Sequence, residues 1–337
     1  MALTAYNDIP NRQLQKAMLP FLKAAMPNLV SERFGQTFVQ GEHQSKVAIF
    51  RRINKLPNTP VALVDGVTPA GVRPTSTDIT VSLEQYGNFI NYTDQMVDLG
   101  EPQVLAAYSE RLGQQAAEVA ENIRLGVLRA CTNVYYNAST TASAAGVNQI
   151  MAGANGLTMQ RKVVRGLMRQ DARKITRVVD GSPKFNTTPV EEGYVAICHT
   201  DLAKDIRDVP GFIPTAEYGS RVAYPGELGS VEDVRYITTT LMTPDIDAGT
   251  AIASISGSAL STSGTSADVY PIIYLGADAF GTVVLRGKFA AQLLASPPKA
   301  TAGDELAQRG SIGWKGYLAT VICNDLWMAV GKTAASV

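Results

Sequence analysis

The side chains that most often carry chemistry are scarce in this chain and poorly spaced for it. Its 337 residues include only two histidines, His43 and His199. His199 follows Cys198 at the end of a strand-like stretch, where consecutive side chains point to opposite faces, so the two cannot readily share a ligand. The three cysteines, Cys131, Cys198 and Cys323, lie far apart with no CxxC among them. That argues against a zinc knuckle or disulfide scaffold and predicts buried, reduced thiols. No HExxH and no GxSxG is present. There are 29 glycines but no GxG, so the dinucleotide and kinase phosphate loops are absent. Gly331-Lys332-Thr333 resembles the end of a phosphate loop, but Leu326 stands where its first glycine belongs, and the segment reads as a frayed tail. The carboxylate pairs Glu191-Glu192 and Asp304-Glu305 sit near Gly and Pro and read as solvated turns. No catalytic residue, cofactor site or metal site is expected.

One charge pattern stands apart. Arg161, Arg165, Arg169 and Arg173 recur every four residues, with Lys162 beside them and only Asp171 opposing, which makes a basic stripe on a helix. Three readings compete: a solvated face, ion pairs with acidic residues of another subunit, and contact with nucleic-acid phosphates. The third is weakened because the stripe lacks interleaved aromatics and the chain balances 30 basic against 30 acidic residues. With 45% hydrophobic and 18% charged residues, disorder over most of the chain is excluded. Low charge at zero net also favours self-association, since no long-range repulsion separates copies.

The elements that would position these residues follow from periodicity. Residues 1–45 read as an arm punctuated by Pro10, Pro20 and Pro27, with a short apolar face of Leu14, Met18, Phe21 and Leu22. The first residues lack the charged start and apolar core of a secretory signal, and no run of 18 apolar residues would span a membrane. Residues 46–95 read as a long β-excursion. KVAIFRR is its first strand, and Ile79, Val81 and Leu83 alternate along its return. The connection holds Pro57, Pro60, Pro69 and Pro74 and is too long for a tight hairpin. Its apolar patch, Val61, Leu63 and Val64, needs a surface to pack on.

Residues 102–137 carry the strongest helix signal. Pro102 suits the first turn, and Leu105, Tyr108, Leu112, Ala116, Val119, Ile123 and Val127 follow three- and four-residue steps. Such a helix, on the order of 50 Å long, is a spine for other elements, and Gly113 and Gly126 point to close backbone approach. Residues 138–157 mark a boundary. A second helix is expected near 158–174 with Thr158 as its cap. Strands follow at Tyr194–Cys198 and near Arg235–Thr239, with a short helix at Asp201–Arg207. A Ser/Thr/Gly/Ala loop spans 247–268, then come strands Val269–Leu275 and Gly281–Leu285. One or two buried strands are expected in Gly316–Val330.

The order of these parts resembles the major capsid proteins of tailed bacteriophages, of the Hong Kong 97-like fold, and among them the podovirus-type family. The resemblance is carried by FRR from Phe50, DGVTP from Asp65, and ITVSLEQYGNFINYTDQM from Ile79. It continues through YVAICHTDLAKDIRDVPGFIP from Tyr194, GELGSVEDVRYITT from Gly226, YLGADAFGTV from Tyr274 and SIGWKGYLATVICNDLWMAV from Ser311. It implies an α+β fold with an N-terminal arm (1–45), an extended loop with flanking strands (46–95), a spine helix of a peripheral domain (96–139), an axial domain (140–300) and C-terminal strands returning to the peripheral domain (301–337).

In function it implies a non-enzymatic shell protein that forms pentamers and hexamers of an icosahedral head around double-stranded DNA, assembled in the host cytoplasm. Portal, scaffold or decoration proteins would be its partners, DNA would be contacted non-specifically, and no membrane or cofactor is involved. Val61, Leu63, Val64, Arg161, Arg165, Arg169 and Arg173 are the expected intersubunit contacts. An encapsulin-like nanocompartment shell is the alternative. Lys55 is the only lysine between Lys46 and Lys162 and has no identifiable Asn and Glu partners, so the isopeptide crosslinking of one member of the fold is not carried over.

Overall fold

A computed structural model describes residues 29–337, apart from residues 42, 44, 69–70, 100–103, 140–142, 180–186, 219–222, 256–258, 286–291, 297 and 301–302. The apolar face expected at Leu14, Met18, Phe21 and Leu22, and the helix start at Pro102, lie outside the described residues. The elements run β1 (Gln36–Gln40), β2 (Val47–Ile53), β3 (Ser76–Ser82), β4 (Glu84–Thr93), α1 (Asp94–Leu99), α2 (Val104–Arg129), β5 (Val134–Tyr136) and α3 (Gly153–Arg169). They continue with β6 (Ile175–Val179), β7 (Thr187–His199), α4 (Ala203–Arg207), β8 (Phe212–Pro214), β9 (Glu227–Val231), β10 (Val234–Thr239) and β11 (Val269–Leu275). The last four are β12 (Phe280–Leu285), β13 (Gln292–Ser296), β14 (Arg309–Ile322) and β15 (Met328–Ala334).

Among the described residues the strands form two sheets and one ribbon. The eight-stranded sheet has the order β5-β15-β11-β7-β10-β9-β8, with β6 paired to β7. Its central strands are apolar on both faces, as a sheet covered on two sides requires. Tyr194, Ala196, Cys198, Tyr236, Tyr270, Ile272 and Tyr274 meet Met159, Val163 and Leu167 of α3 on one face. On the other, Val195, Ile197, Ile237, Ile273, Leu275, Met328 and Val330 meet Leu125 and Leu128 of α2, with Phe34. Each fully buried aliphatic side chain contributes about 1.5–3 kcal/mol. Two of the buried hydroxyls find partners: Tyr194 donates to the Ala172 carbonyl at 2.9 Å and Tyr236 to Gln160 Oε1 at 2.8 Å.

The five-stranded sheet is ordered β1-β12-β14-β13, and β4 pairs with β14 over ten register positions, Glu84–Thr93 against Arg309–Leu318. The N-terminal half of α2 lies on it, where Leu112 and Ala116 pack on Tyr92, Ile312 and Trp314. Since its last turns pack on the eight-stranded sheet, α2 bridges the two. At 1.5 Å per residue it is about 39 Å long, enough for both contacts. The segment before β1 is tied to the same helix: Ser31 donates its backbone N–H and its hydroxyl to the buried Glu121 carboxylate, each at 2.9 Å. Arg124 contacts both Glu121 and Glu32 at 3.3 Å.

Several expectations are corrected. The long helix ends at Arg129, not 137, because Val134–Tyr136, β-branched and aromatic, pairs in parallel with Val330–Lys332 of β15. Its buried face turns toward Ala117, Glu121, Arg124, Leu125 and Leu128, leaving Val119, Ile123 and Val127 half-buried, and Gly126 faces open space. The second helix starts at Gly153, so Thr158 is not its cap; the Thr158 hydroxyl bonds back to the Ala154 carbonyl at 2.8 Å, one turn earlier. That helix ends at Arg169, leaving Arg173 beyond it. Finally, Gly331-Lys332-Thr333 is no frayed tail. It lies within β15, paired with Ile272, Pro271 and Tyr270 of β11, and Lys332 reaches Asp245 at 3.0 Å.

Candidate assembly surface

β2 and β3 pair from Val47↔Ser82 to Ile53↔Ser76, and this two-stranded ribbon belongs to neither sheet. An isolated ribbon of two strands is marginal in water and needs a surface under it. One face has such a surface: Ala48, Phe50 and Val81 rest on Leu83, Val283 and Ala319, and the Phe50 ring sits 4.3 Å from that of Phe38. The ribbon is also pinned by polar contacts. Arg51 grips Asp78 across the strands at 2.7 and 2.9 Å, which holds the Asp78 carboxyl below its usual range. Arg52 donates to Asn324 Oδ1 at 2.8 Å, and Lys55 meets Asp171 at 2.5 Å.

The other face of the ribbon and the connection beyond it have no covering among the described residues. Val47, Ile49 and Ile53 are exposed, as are Leu56, Val67 and Val72. Val61, Leu63 and Val64, picked out from the sequence, are exposed by 66%, 76% and 66%. The connection turns at Val64-Asp65-Gly66-Val67, where the Val67 N–H donates to the Val64 carbonyl at 3.1 Å. Gly66 has φ +77°, the left-handed conformation that the third position of a type II turn demands. This puts an apolar knob at the end of a ribbon.

The arginine stripe comes apart. The Arg161 guanidinium forks onto Glu232 of the same chain, with contacts from 2.5 to 3.3 Å. Arg165 and Arg169 are exposed on α3 without a partner among the described residues, and Arg173 lies off the helix. Arg161 is therefore engaged within its own subunit, and the four residues do not form one row.

The remaining sequence candidates take structural places. His199 ends β7 and accepts the Asp201 N–H on Nδ1 at 3.1 Å. Cys131 and Cys198 are buried, and burial pushes both thiols up to about 12. Asp304 caps a turn, accepting from the Gln308 and Arg309 N–H groups at 3.0 and 2.7 Å. No group of three or more His, Cys, Asp or Glu residues suited to a metal occurs among the described residues.

Inspection of the sequence missed Ile49, Ile53, Leu56, Phe89 and Leu294 as uncovered apolar positions. A signal for the first two was present. In KVAIFRRI, Val47, Ile49 and Ile53 alternate with Ala48 and Phe50, so the strand is apolar on both faces and needs covering on both.

Comparison with known proteins gives one family: the sequence profile described as phage capsid protein matches residues 76–332. Among curated proteins no sequence relative is found. Solved structures share the fold. The capsid of Ralstonia phage GP4 aligns at TM-score 0.69 with 12% identity, over 100% of this chain and 99% of that one. The head structure of Helicobacter pylori bacteriophage KHP40 gives 0.59 and 12%, over 100% and 98%. The cyanophage Pam1 capsid gives 0.58 and 14%, over 99% and 98%.

Proposed function

This chain belongs to the phage capsid protein family, and we propose that its structural role is that of the major subunit of an icosahedral head, arranged in pentamers and hexamers around double-stranded DNA. The observation that carries the reading is the match of the capsid family over residues 76–332, which covers most elements of both sheets. An encapsulin-like nanocompartment is not favoured, since the family and the structural relatives above are phage capsids. A family built for a shell implies no enzymatic step.

Within that reading the parts take roles. Residues 1–45 form the arm, 46–95 the extended loop, 96–139 the spine of the peripheral domain, 140–300 most of the axial domain, and 301–337 the returning strands. Support comes from α2, which reaches from one sheet to the other, and from the ribbon, whose outer face and connection are exposed. On this reading β12–β14, which share the five-stranded sheet, go with the peripheral layer, and β15, in the eight-stranded sheet, goes with the axial one. Val61, Leu63 and Val64 pack on a neighbouring subunit, and Arg165 and Arg169 meet a neighbour's acidic groups. Portal, scaffold or decoration proteins and packaged DNA are the further partners of such a head, assembled in the host cytoplasm.

Electron microscopy of the purified protein tests the reading. Closed shells of uniform size are expected. Monodisperse monomers at high concentration, or open sheets, would overturn it.

A further inference from the structure

Where Asp or Asn precedes Gly, the main chain can react with its own side chain, because the glycine nitrogen has no neighbouring Cβ to shield it. Three such pairs occur here: Asp65-Gly66, Asn155-Gly156 and Asp180-Gly181. The last lies outside the described residues. By side chain alone Asn155 is the more reactive of the other two, since a carboxamide loses ammonia more readily than a carboxyl group loses water. The fold reverses that order. Asn155 is exposed, but it stands in the first turn of α3. Ring closure requires the peptide unit between the two residues to rotate until the glycine nitrogen faces the side-chain carbon. In a helix capped by Ala152, the Gly156 N–H is the one that bonds to the cap carbonyl, which fixes that unit. Gly156 is also buried: a Cβ on it would lie 3.1 Å from Val209 Cγ2 and nearer still to the Met151 carbonyl oxygen.

Asp65-Gly66 is held by far less. Its turn is tied by the bond from the Val67 N–H to the Val64 carbonyl at 3.1 Å, which uses neither the Gly66 N–H nor the Asp65 carboxylate. Residues 61–68 are all exposed, and nothing lies within 4 Å of the place a Gly66 Cβ would take. The peptide unit between Asp65 and Gly66 is therefore free to turn over.

We propose that Asp65-Gly66 is a spontaneous modification site of the subunit outside a shell, converting to isoaspartate while Asn155-Gly156 stays intact. The inference goes beyond the shell reading and needs only an uncovered turn. The Gly66 nitrogen bonds to Cγ of the neutral Asp65 carboxyl group, and the hydroxyl leaves with the amide proton as water, closing a succinimide ring. Water then opens the ring at one of its two carbonyls. Opening at Cγ restores aspartate. Opening at the main-chain carbon leaves the chain running through Cβ and Cγ, with the former main-chain carbon as the free carboxylate. No oxidant, reductant or cofactor is consumed. The product has one more main-chain atom between Val64 and Gly66, so the Val67 N–H no longer meets the Val64 carbonyl as it does in the present turn.

The test is ageing of the full-length subunit, kept free of shells by dilution, for several weeks at neutral pH and physiological temperature. Peptide mapping by mass spectrometry follows, with isoaspartate counted by enzymatic methyl transfer. The peptide holding Asp65 should accumulate isoaspartate at unchanged mass, passing through a form lighter by one water. The peptide holding Asn155 should not show the mass gain of deamidation. Gly66→Ala should slow the conversion at Asp65 severalfold, because its methyl group shields the nitrogen. In concentrated urea, where α3 is lost, Asn155 should overtake Asp65. Absence of isoaspartate at residue 65, or conversion of Asn155 before Asp65 in the folded subunit, would overturn the proposal. So would an order that unfolding leaves unchanged, because the fold would then not be what sets it.

Discussion

The eight-stranded sheet and the β2–β3 ribbon are built from similar residues and end in opposite conditions. In the sheet, Val195, Ile197, Ile273 and Val330 on one face and Ala196, Tyr236 and Tyr274 on the other are covered by helices and loops of the same chain. In the ribbon, Phe50 is covered and Ile49 and Ile53 are not. The first region satisfies itself; the second is complete on one side only. Apolar residues that are uncovered in a single subunit are tolerated when an interaction supplies the missing layer, and a large exposed apolar patch marks such a site.

The largest expected effect separates the two regions outright. Replacing residues 56–74 by a short Gly/Ser linker should leave a cooperatively melting protein with near-native circular dichroism that sediments as monomers or small oligomers. Val61, Leu63 and Val64 would each gain about 1.5–3 kcal/mol on full burial, which nothing among the described residues provides. A variant that still builds closed shells, or one that is unfolded, would break the comparison.

A paired truncation sharpens it. Ile197→Ala in the covered sheet should cost about 2–5 kcal/mol of subunit stability by denaturant melt. The same truncation at Ile53, on the uncovered face, should change it by less than about 0.5 kcal/mol. Equal costs would mean that the ribbon's outer face is covered within the subunit.

A smaller effect is expected in the 247–268 loop, where Ile255, Ala259 and Ala267 are buried and Asp268 adds polar contacts. Asp268 is buried, which by itself raises its pKa, but hydrogen bonds from Thr262 Oγ1, the Asp247 N–H and the Thr262 N–H outweigh this and lower it below 3.8. A depressed carboxylate stabilises the fold above the ordinary value of 3.8 and loses that contribution as pH falls through the lower folded-state value. Asp268→Asn should cost about 1–3 kcal/mol at neutral pH and flatten the acid limb of the stability profile. An unchanged acid limb would remove Asp268 from that role.

The smallest effect is chemical. Cys131 and Cys198, pushed up to about 12, should resist iodoacetamide at pH near 8, and half-buried Cys323 should be labelled first by mass spectrometry. Early labelling of Cys198 would show that the central sheet opens.

Much of the fold was legible because local rules act over short spans. Period-two alternation placed β3, and the run Val269–Leu275 was read to the residue. The errors fell where distant pairing overrode local pattern. Val134–Tyr136 continued a helical rhythm until β15 paired with it, and Gly331–Thr333 looked like a loose end because β11, some sixty residues earlier, is invisible locally. Within the candidate surface, Val61, Leu63 and Val64 were readable because prolines isolate them from any local core. Phe89 and Leu294 were not, because each sits in an ordinary strand and only the register across β14 sets them on either side of Gly313.

By itself the sequence determined that the common catalytic, phosphate-loop and metal-ligand spacings are absent, that 30 basic residues balance 30 acidic ones, and that one proline-rich connection carries apolar residues with nothing local to bury them. Those are properties of composition and short-range spacing. Only the tertiary structure decided that Arg161 is engaged by Glu232 from seventy-one residues away, that Arg173 leaves the helix, and that β14 and β15 part into different sheets. Those outcomes depend on which distant segments meet, and that is set by the packing of the whole chain.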